Sequence, residues 1–337
     1  MKISCEHIRA IRSLGYTEDE AKFLYIVANH SGYFVPRQFI AFTGPSWGKR
    51  SQLFTDKLES RGHVTWREYQ DMGGVYHLFS KTLYRQIDRE NLRNRRRHST
   101  EFIRTRLLLL DFVLANWAYD YFETEDDKVR FFCDELAIPK KALPAKAYEG
   151  VSTPEPTLRY FVDKFPLFLA VTNGSSSPMV TFSYVDPGQA SIAGFANHLN
   201  AYAPLFRHLR TFRFVYIAPF TVHFARAEQC FCSLVKTPLQ ADVSGELERY
   251  FRLRAAWDGK QYGTLSTEDI EWLDEANKRF GGPRIEQLYT VWRSSETRKD
   301  EYRAFLRESQ SSRSAEFSTY LVKPARQDKR KELARTT

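Results

Sequence analysis

Apolar positions recur at helical spacing through the first sixty residues and then switch to alternation. Ala21, Leu24, Tyr25, Val27 and Ala28 mark one face of a helix. Thr17, three residues before Glu20, predicts a capping box at its start, and Ser31-Gly32 predicts its end near His30. Pro36 suits the first turn of a second, short helix that closes near Gly44. Ser46 caps a third predicted helix, Trp47 to Arg61, which turns Leu53, Phe54 and Leu58 inward and stops at Gly62. Val64 to Tyr69 and Val75 to Phe79 then alternate as strands, with Asp71-Met72-Gly73-Gly74 as a glycine-rich turn. Three helices followed by a hairpin predict a winged helix-turn-helix over residues 1–84.

The pattern beyond it predicts a basic helical connector over 85–157. Its expected helices are Leu83 to Arg97, Thr100 to Trp117 and Asp126 to Leu136, followed by a stretch broken by Pro139, Pro144, Pro154 and Pro156. After Thr157 the period changes. Leu158–Asp163, Pro166–Thr172 and Met179–Val185 read as strands, with a loose turn at Asn173-Gly174-Ser175-Ser176-Ser177. Gln189 to Leu209 reads as a helix kinked at Pro204, and Phe212–Ala218 and Cys230–Val235 as further strands. Ser244–Ala256, Ser266–Phe280 and Arg284–Glu308 are amphipathic helices. The expectation is an α+β chain whose 158–308 part is a mixed α/β domain of restriction-endonuclease-like order with added helices. Residues 309–337 are expected to be a disordered basic tail or a partner-binding arm.

Charge adds direction to this picture. The net charge is +9, and the excess gathers between residues 85 and 106 and again from Lys323 to Arg335. The four cysteines, Cys5, Cys133, Cys230 and Cys232, form no CxxC pair and have no histidine at finger spacing, which speaks for reduced thiols rather than structural zinc. The first residues lack the apolar run of a signal peptide, and Leu107 to Leu114 is too short to span a bilayer, so no membrane partner and a cytoplasmic location are expected.

The candidate DNA-binding residues follow from the helix and hairpin. Ser46, Trp47, Lys49, Arg50 and Gln52 open the third helix, where they suit groove contact, and Lys57 and Arg61 suit phosphate. Arg67 lies on the hairpin. Arg85, Arg89, Arg93 and Arg96 or Arg97 would share one side of a helix at i, i+4 spacing, and such a stack of guanidinium groups suits a polyanion. Asp56, Glu59, Glu68 and Asp71 dilute the positive face and keep a protein-contact role open.

A nuclease core needs an aspartate at one strand end and Glu-x-Lys on the next to hold Mg²⁺ and activate water. Asp163 suits the first place and Asp186 is a weak second acid, but Tyr184-Val185-Asp186 stands where Glu-x-Lys belongs. No P-loop, GxGxxG or HExxH occurs, so no cofactor is expected.

Tyr33 to Phe39, the helix end Leu58-Glu59-Ser60-Arg61-Gly62-His63-Val64 and the strand Val75-Tyr76-His77-Leu78-Phe79-Ser80 resemble the replication-relaxation family of bacterial plasmids and other mobile elements. His77-Leu78-Phe79-Ser80 approximates the family's "Tyr-x-Leu-Thr/Ser" step. Tyr184-Val185-Asp186-Pro187-Gly188 is similar to its acidic "Glu-Leu-Asp-x-Gly" step, with Tyr184 in place of the glutamate. The resemblance implies a DNA-binding factor in replication, transfer or transcriptional control. The leading expectation is a non-catalytic, sequence-selective duplex-DNA binder whose C-terminal half forms a homodimer or recruits a protein partner. A Mg²⁺-dependent nuclease and a winged-helix protein adaptor are the alternatives.

Overall fold

The computed structural model describes residues 1, 3–44, 49–148, 157–163, 165–171, 178–188, 191–239, 243–280, 283–294 and 314–322. Its first helix, α1 (Cys5–Ser13), was not foreseen; Ser4 caps it. Helix α2 (Glu18–His30) starts at the predicted capping box: Thr17 N–H donates to Glu20 Oε2 at 2.8 Å and Glu20 N–H to Thr17 Oγ1 at 3.4 Å. It is buried on nearly every face, with Phe23, Leu24, Ile26 and Val27 fully enclosed. Gly32 ends it with φ +79°, and a Cβ there would lie 2.4 Å from the Asn94 carbonyl oxygen. Gly32→Ala should therefore destabilise the fold by more than 1 kcal/mol, roughly the ordinary upper end for a misplaced side chain at positive φ; chemical denaturation would read it.

Strand β1 (Tyr33–Phe34), α3 (Pro36–Thr43) and α4 (Arg50–Ser60) follow, then β2 (Val64–Tyr69) and β3 (Gly73–Leu78). The strands form an antiparallel sheet in the order β1-β3-β2, with Trp66 opposite Tyr76 and Arg67 opposite Val75. The helices close on it through an aromatic cluster in which Phe39 and Phe54 stack at 4.1 Å between centroids.

The expected helix from Leu83 to Arg97 does not form. Helix α5 stops at Arg85 (Lys81–Arg85), Asp88 adopts φ 55°, and only a 3₁₀ turn covers Arg93–Arg95. The reason is Asn94. Its Nδ2 donates to the carbonyls of Ala28 and Asn29 at 2.9 and 3.1 Å, capping α2, and its carbonyl accepts from the ring of His77 at 3.1 Å. Burying Asn94 there requires the chain to fold back, which separates the arginines that an i, i+4 stripe would align.

Helix α6 (Thr100–Ala115) is apolar on two sides and packs both on α2, α3 and β1 and on a second sheet. Arg37 grips Asp111 of α6 with two bonds of 2.7 and 2.8 Å, and Gln38 donates to the same carboxylate at 2.9 Å. Next come β4 (Asp120–Tyr121), α7 (Glu125–Arg130) with a wider helical turn through Glu135, and the ribbon β5 (Ala145–Tyr148) with β6 (Thr157–Tyr160). The second sheet is completed by β7 (Phe168–Ala170), β8 (Met179–Val185), β9 (Thr211–Ala218) and, across helix α8 (Ile192–Phe206), the parallel pairing of β8 with β9. Its order is β10-β9-β8-β7-β4, where β10 is Ser314–Leu321.

Four further expectations are corrected. The strand expected to end at Asp163 stops at Tyr160 and pairs with β5, outside the main sheet. Cys230–Val235 lies in helix α9 (Phe224–Leu239), because a short apolar run carries no period of its own. Part of the expected disordered tail is β10, held by Arg213 to Glu316 at 2.6 Å. Finally, 85–157 is no connector. Leu109, Leu110, Phe112 and Val113 share one core with Phe54, Phe168, Val185 and Ile217, so Met1–Cys232 and the last strand form one compact unit. Ser233–Ser314 form the second, in which α10 (Val243–Asp258), α11 (Thr267–Phe280) and α12 (Pro283–Ser294) enclose Leu247, Tyr250, Phe251 and Tyr289. Helix α8 runs through Pro204 and ends two residues later, at Phe206. The turn expected at 173–177, Pro154, Pro156 and the run from Lys323 lie outside the described residues.

Candidate nucleic-acid interface

Helix α4 pairs two of its cations with carboxylates of α2. Lys57 Nζ meets the Glu20 carboxylate at 2.7 and 3.0 Å, and Arg50 meets Asp19 at 2.7 Å. Both acceptors belong to the acidic first turn of α2, which the helix dipole favours, so the same carboxylates serve that helix and anchor α4 to it. Arg61 lies over the Tyr16 ring at 5.2 Å, and Gln52 donates to Asp56 at 2.7 Å. Lys49 is exposed at the start of the helix. Ser46 and Trp47 lie outside the described residues. The solvent face of α4 is thus Gln52, Leu53, Asp56 and Glu59, with Leu53 65% exposed. That face is close to neutral or acidic rather than basic.

The uncompensated positive charge sits elsewhere. Alternation along β2 puts Thr65, Arg67 and Tyr69 on one face of the hairpin. There they line a cleft of about 240 Å³ together with Tyr33, Trp66, His77, Arg97 and His98. No aspartate or glutamate lines it. Arg67 and Arg97, thirty positions apart in sequence, are both exposed and form no ion pair among the described residues. Trp66, 51% exposed, lies flat against Gly74, where a Cβ would meet its indole nitrogen at 2.5 Å. Tyr33 stacks on His77 at 4.4 Å, and burial holds that imidazole below its ordinary pKa, hence neutral at pH 7.

The other arginines divide. Arg85 and Arg96 are exposed, and Arg93 is exposed over the Tyr148 ring at 5.3 Å. Arg89 is half-buried and donates to the Asp88 carbonyl at 3.3 Å. Arg95 is structural, donating to the carbonyls of Phe79 and Glu90. Arg106 is buried and donates to the His30 carbonyl at 3.2 Å. Tyr33, Thr65 and His98 escaped the sequence reading; the alternation of β2 was the signal for Thr65.

The two aspartates are engaged separately. Asp163 accepts from Tyr202 at 2.7 Å and from the Phe165 N–H at 3.1 Å, with His198 at 3.4 Å. Asp186 is buried at the end of β8 and accepts from Tyr216 and from the Gly188 N–H. Among the described residues, no group of three or more His, Cys, Asp and Glu side chains is placed to hold a metal ion, and no helix is long and apolar enough to cross a membrane. Tyr184 packs its ring against Phe195 and His198. No family model, no curated protein and no solved structure matches the chain.

Proposed function

We propose that the protein binds duplex DNA without cutting it, and that its phosphate contacts come from the hairpin and the segment after it rather than from the cations of α4. The observation that carries this reading is the acid-free cleft in which Arg67 and Arg97 converge beside Tyr33, Trp66 and Tyr69. Two guanidinium groups without carboxylate partners suit phosphate, which they can hold through paired N–H donors. The order helix, strand, two helices and hairpin, with sheet order β1-β3-β2, supports a winged helix-turn-helix. In that arrangement the hairpin follows the DNA backbone, and Lys49 and Gln52 on α4 remain for groove contact.

The order α6-β4-β7-β8-α8-β9 supports a restriction-endonuclease-like core. Its two candidate acids are bonded to tyrosine hydroxyls, and no Glu-x-Lys pair stands on β8. A scaffold role for this half follows. The resemblance to the replication-relaxation family extends the proposal to DNA of a plasmid or other mobile element. One feature favours a second reading, a protein adaptor: exposed Leu53 shares the α4 face with acidic Asp56 and Glu59.

The test is duplex binding by the variant Arg67→Ala/Arg97→Ala. Loss of two phosphate contacts should weaken binding at least tenfold at low salt, with circular dichroism unchanged. Unchanged affinity would reject the cleft, and a salt-resistant protein complex without any DNA binding would favour the adaptor.

A further inference from the structure

A second cavity lies on the other side of the arginine segment, and nothing in the DNA reading uses its interior. It encloses about 410 Å³, within the range of small-molecule sites. Lys128 of α7 lines it at only 6% exposure. Its ammonium lies 5.6 Å from the Phe161 ring centroid and makes no hydrogen bond or ion pair among the described residues. A buried lysine in that condition is costly to the fold unless something negative meets it.

The rest of the wall fits the same visitor. His30, 92% buried, presents an Nε2 without a partner, and Asn29 an Oδ1 without one. Arg93 and Arg96 stand exposed at the rim, Arg93 over Tyr148. The carboxylates of the wall are largely engaged. Glu125 holds Arg159 at 2.7 Å and the Tyr160 N–H at 2.7 Å, and Glu123 accepts from Tyr25 at 2.7 Å. Asp126 is exposed. Asp163, the nearest counter-charge to Lys128 by its effect, has its oxygens occupied by Tyr202, Phe165 N–H and His198. Buried Arg106 adds further positive potential.

We propose that this cavity binds a small phosphorylated compound of nucleotide size. Lys128 and the rim arginines Arg93 and Arg96 hold the phosphoryl oxygens, and His30 and Asn29 meet polar groups deeper in. The aromatic wall of Tyr148 and Phe161 covers the remainder of the ligand. A ligand here draws on Arg96, the residue before Arg97 of the DNA cleft.

The experiment is thermal denaturation with equilibrium dialysis on the full chain, using pyrophosphate, AMP and a short 5′-phosphorylated oligonucleotide, against sodium chloride at matched ionic strength. Pyrophosphate or AMP should stabilise saturably, by on the order of 5 °C at a hundredfold excess over Kd. Lys128→Met should weaken this binding at least tenfold while its ligand-free melting temperature stays level or rises. Arg96→Ala, at an exposed position, should weaken it several-fold and keeps the test available if Lys128→Met does not fold. The variant Arg67→Ala/Arg97→Ala should bind these probes as the parent does, which separates this site from the DNA cleft. No saturable response to either small probe, a response confined to the oligonucleotide, or full binding in both Lys128→Met and Arg96→Ala would overturn the proposal.

Discussion

Phe54→Ala lowers the stability of the protein by about 3–5 kcal/mol, the range for removing a fully buried aromatic ring. Phe54 has no exposed surface and contacts three other rings, Phe39 at 4.1 Å, Phe23 at 5.8 Å and Phe34 at 6.0 Å between centroids. These rings come from α3, α2 and β1, so the cavity left behind has walls on separate elements that cannot all collapse inward. Leu53, one position earlier and 65% exposed, is the internal control. Leu53→Ala should change stability by no more than about 0.5 kcal/mol. Urea denaturation of the two variants reads the orientation of α4 directly, and similar losses for both would mean that the helix is rotated from the position described.

Acidification is the second large effect. His30 is buried, and its pKa is depressed from 6.5 to about 3, first by burial and then by the positive charges of Lys128, Arg106 and the N-terminus. The folded protein thus refuses a proton that the unfolded chain accepts below pH 6.5. Stability is complete above that value and falls as the pH drops toward 3, by roughly 3 kcal/mol at pH 4 from this group alone. His63, His77 and His198 are depressed in the same direction, chiefly by burial. Glu123 works oppositely, since burial raises its pKa and acid relieves it, but it is one carboxyl against four imidazoles. Denaturation midpoints should fall steadily between pH 7 and pH 4, and His30→Gln should remove much of the slope. A midpoint that does not move over that window would contradict the buried, neutral imidazole.

Local signals carried the N-terminal elements. The capping pair Thr17 and Glu20, Gly32 after α2, Pro36 at the start of α3 and Gly62 after α4 each act within one turn of the chain, so their effect can be read from neighbours alone. The two short strands either side of the glycine-rich turn were equally local. What failed depended on distant partners. Arg85, Arg89 and Arg93 have helical spacing, yet Asn94 caps α2 from sixty-five positions away and forbids the helix. Lys57 looks like a phosphate ligand and Arg50 like a groove contact until Glu20 and Asp19 are seen across the helix interface. Strand β10 finds its neighbour β9 about a hundred residues earlier, and its polar sequence, suited to an edge, resembles a tail. Asp163 shows the same limit. Its position after a predicted strand suggested a metal ligand, whereas Tyr202 and His198 of α8 enclose it.

Arg50 and Lys57 of α4 are paired with α2, Lys49 stays exposed, and an acid-free cluster joins the hairpin to the segment after it through Arg67 and Arg97. Arg67 was a candidate from the hairpin and Arg97 from the arginine stripe, but only the return of the chain past His77 and Tyr33 brings them together.

The most direct test of this account is the salt dependence of duplex-DNA binding by the parent protein and by Arg67→Ala/Arg97→Ala. Log affinity should fall linearly with log salt concentration for the parent, and the variant should bind more weakly with a slope shallower by about two, one for each lost phosphate contact. Equal slopes and equal affinities, or an affinity indifferent to salt, would contradict it.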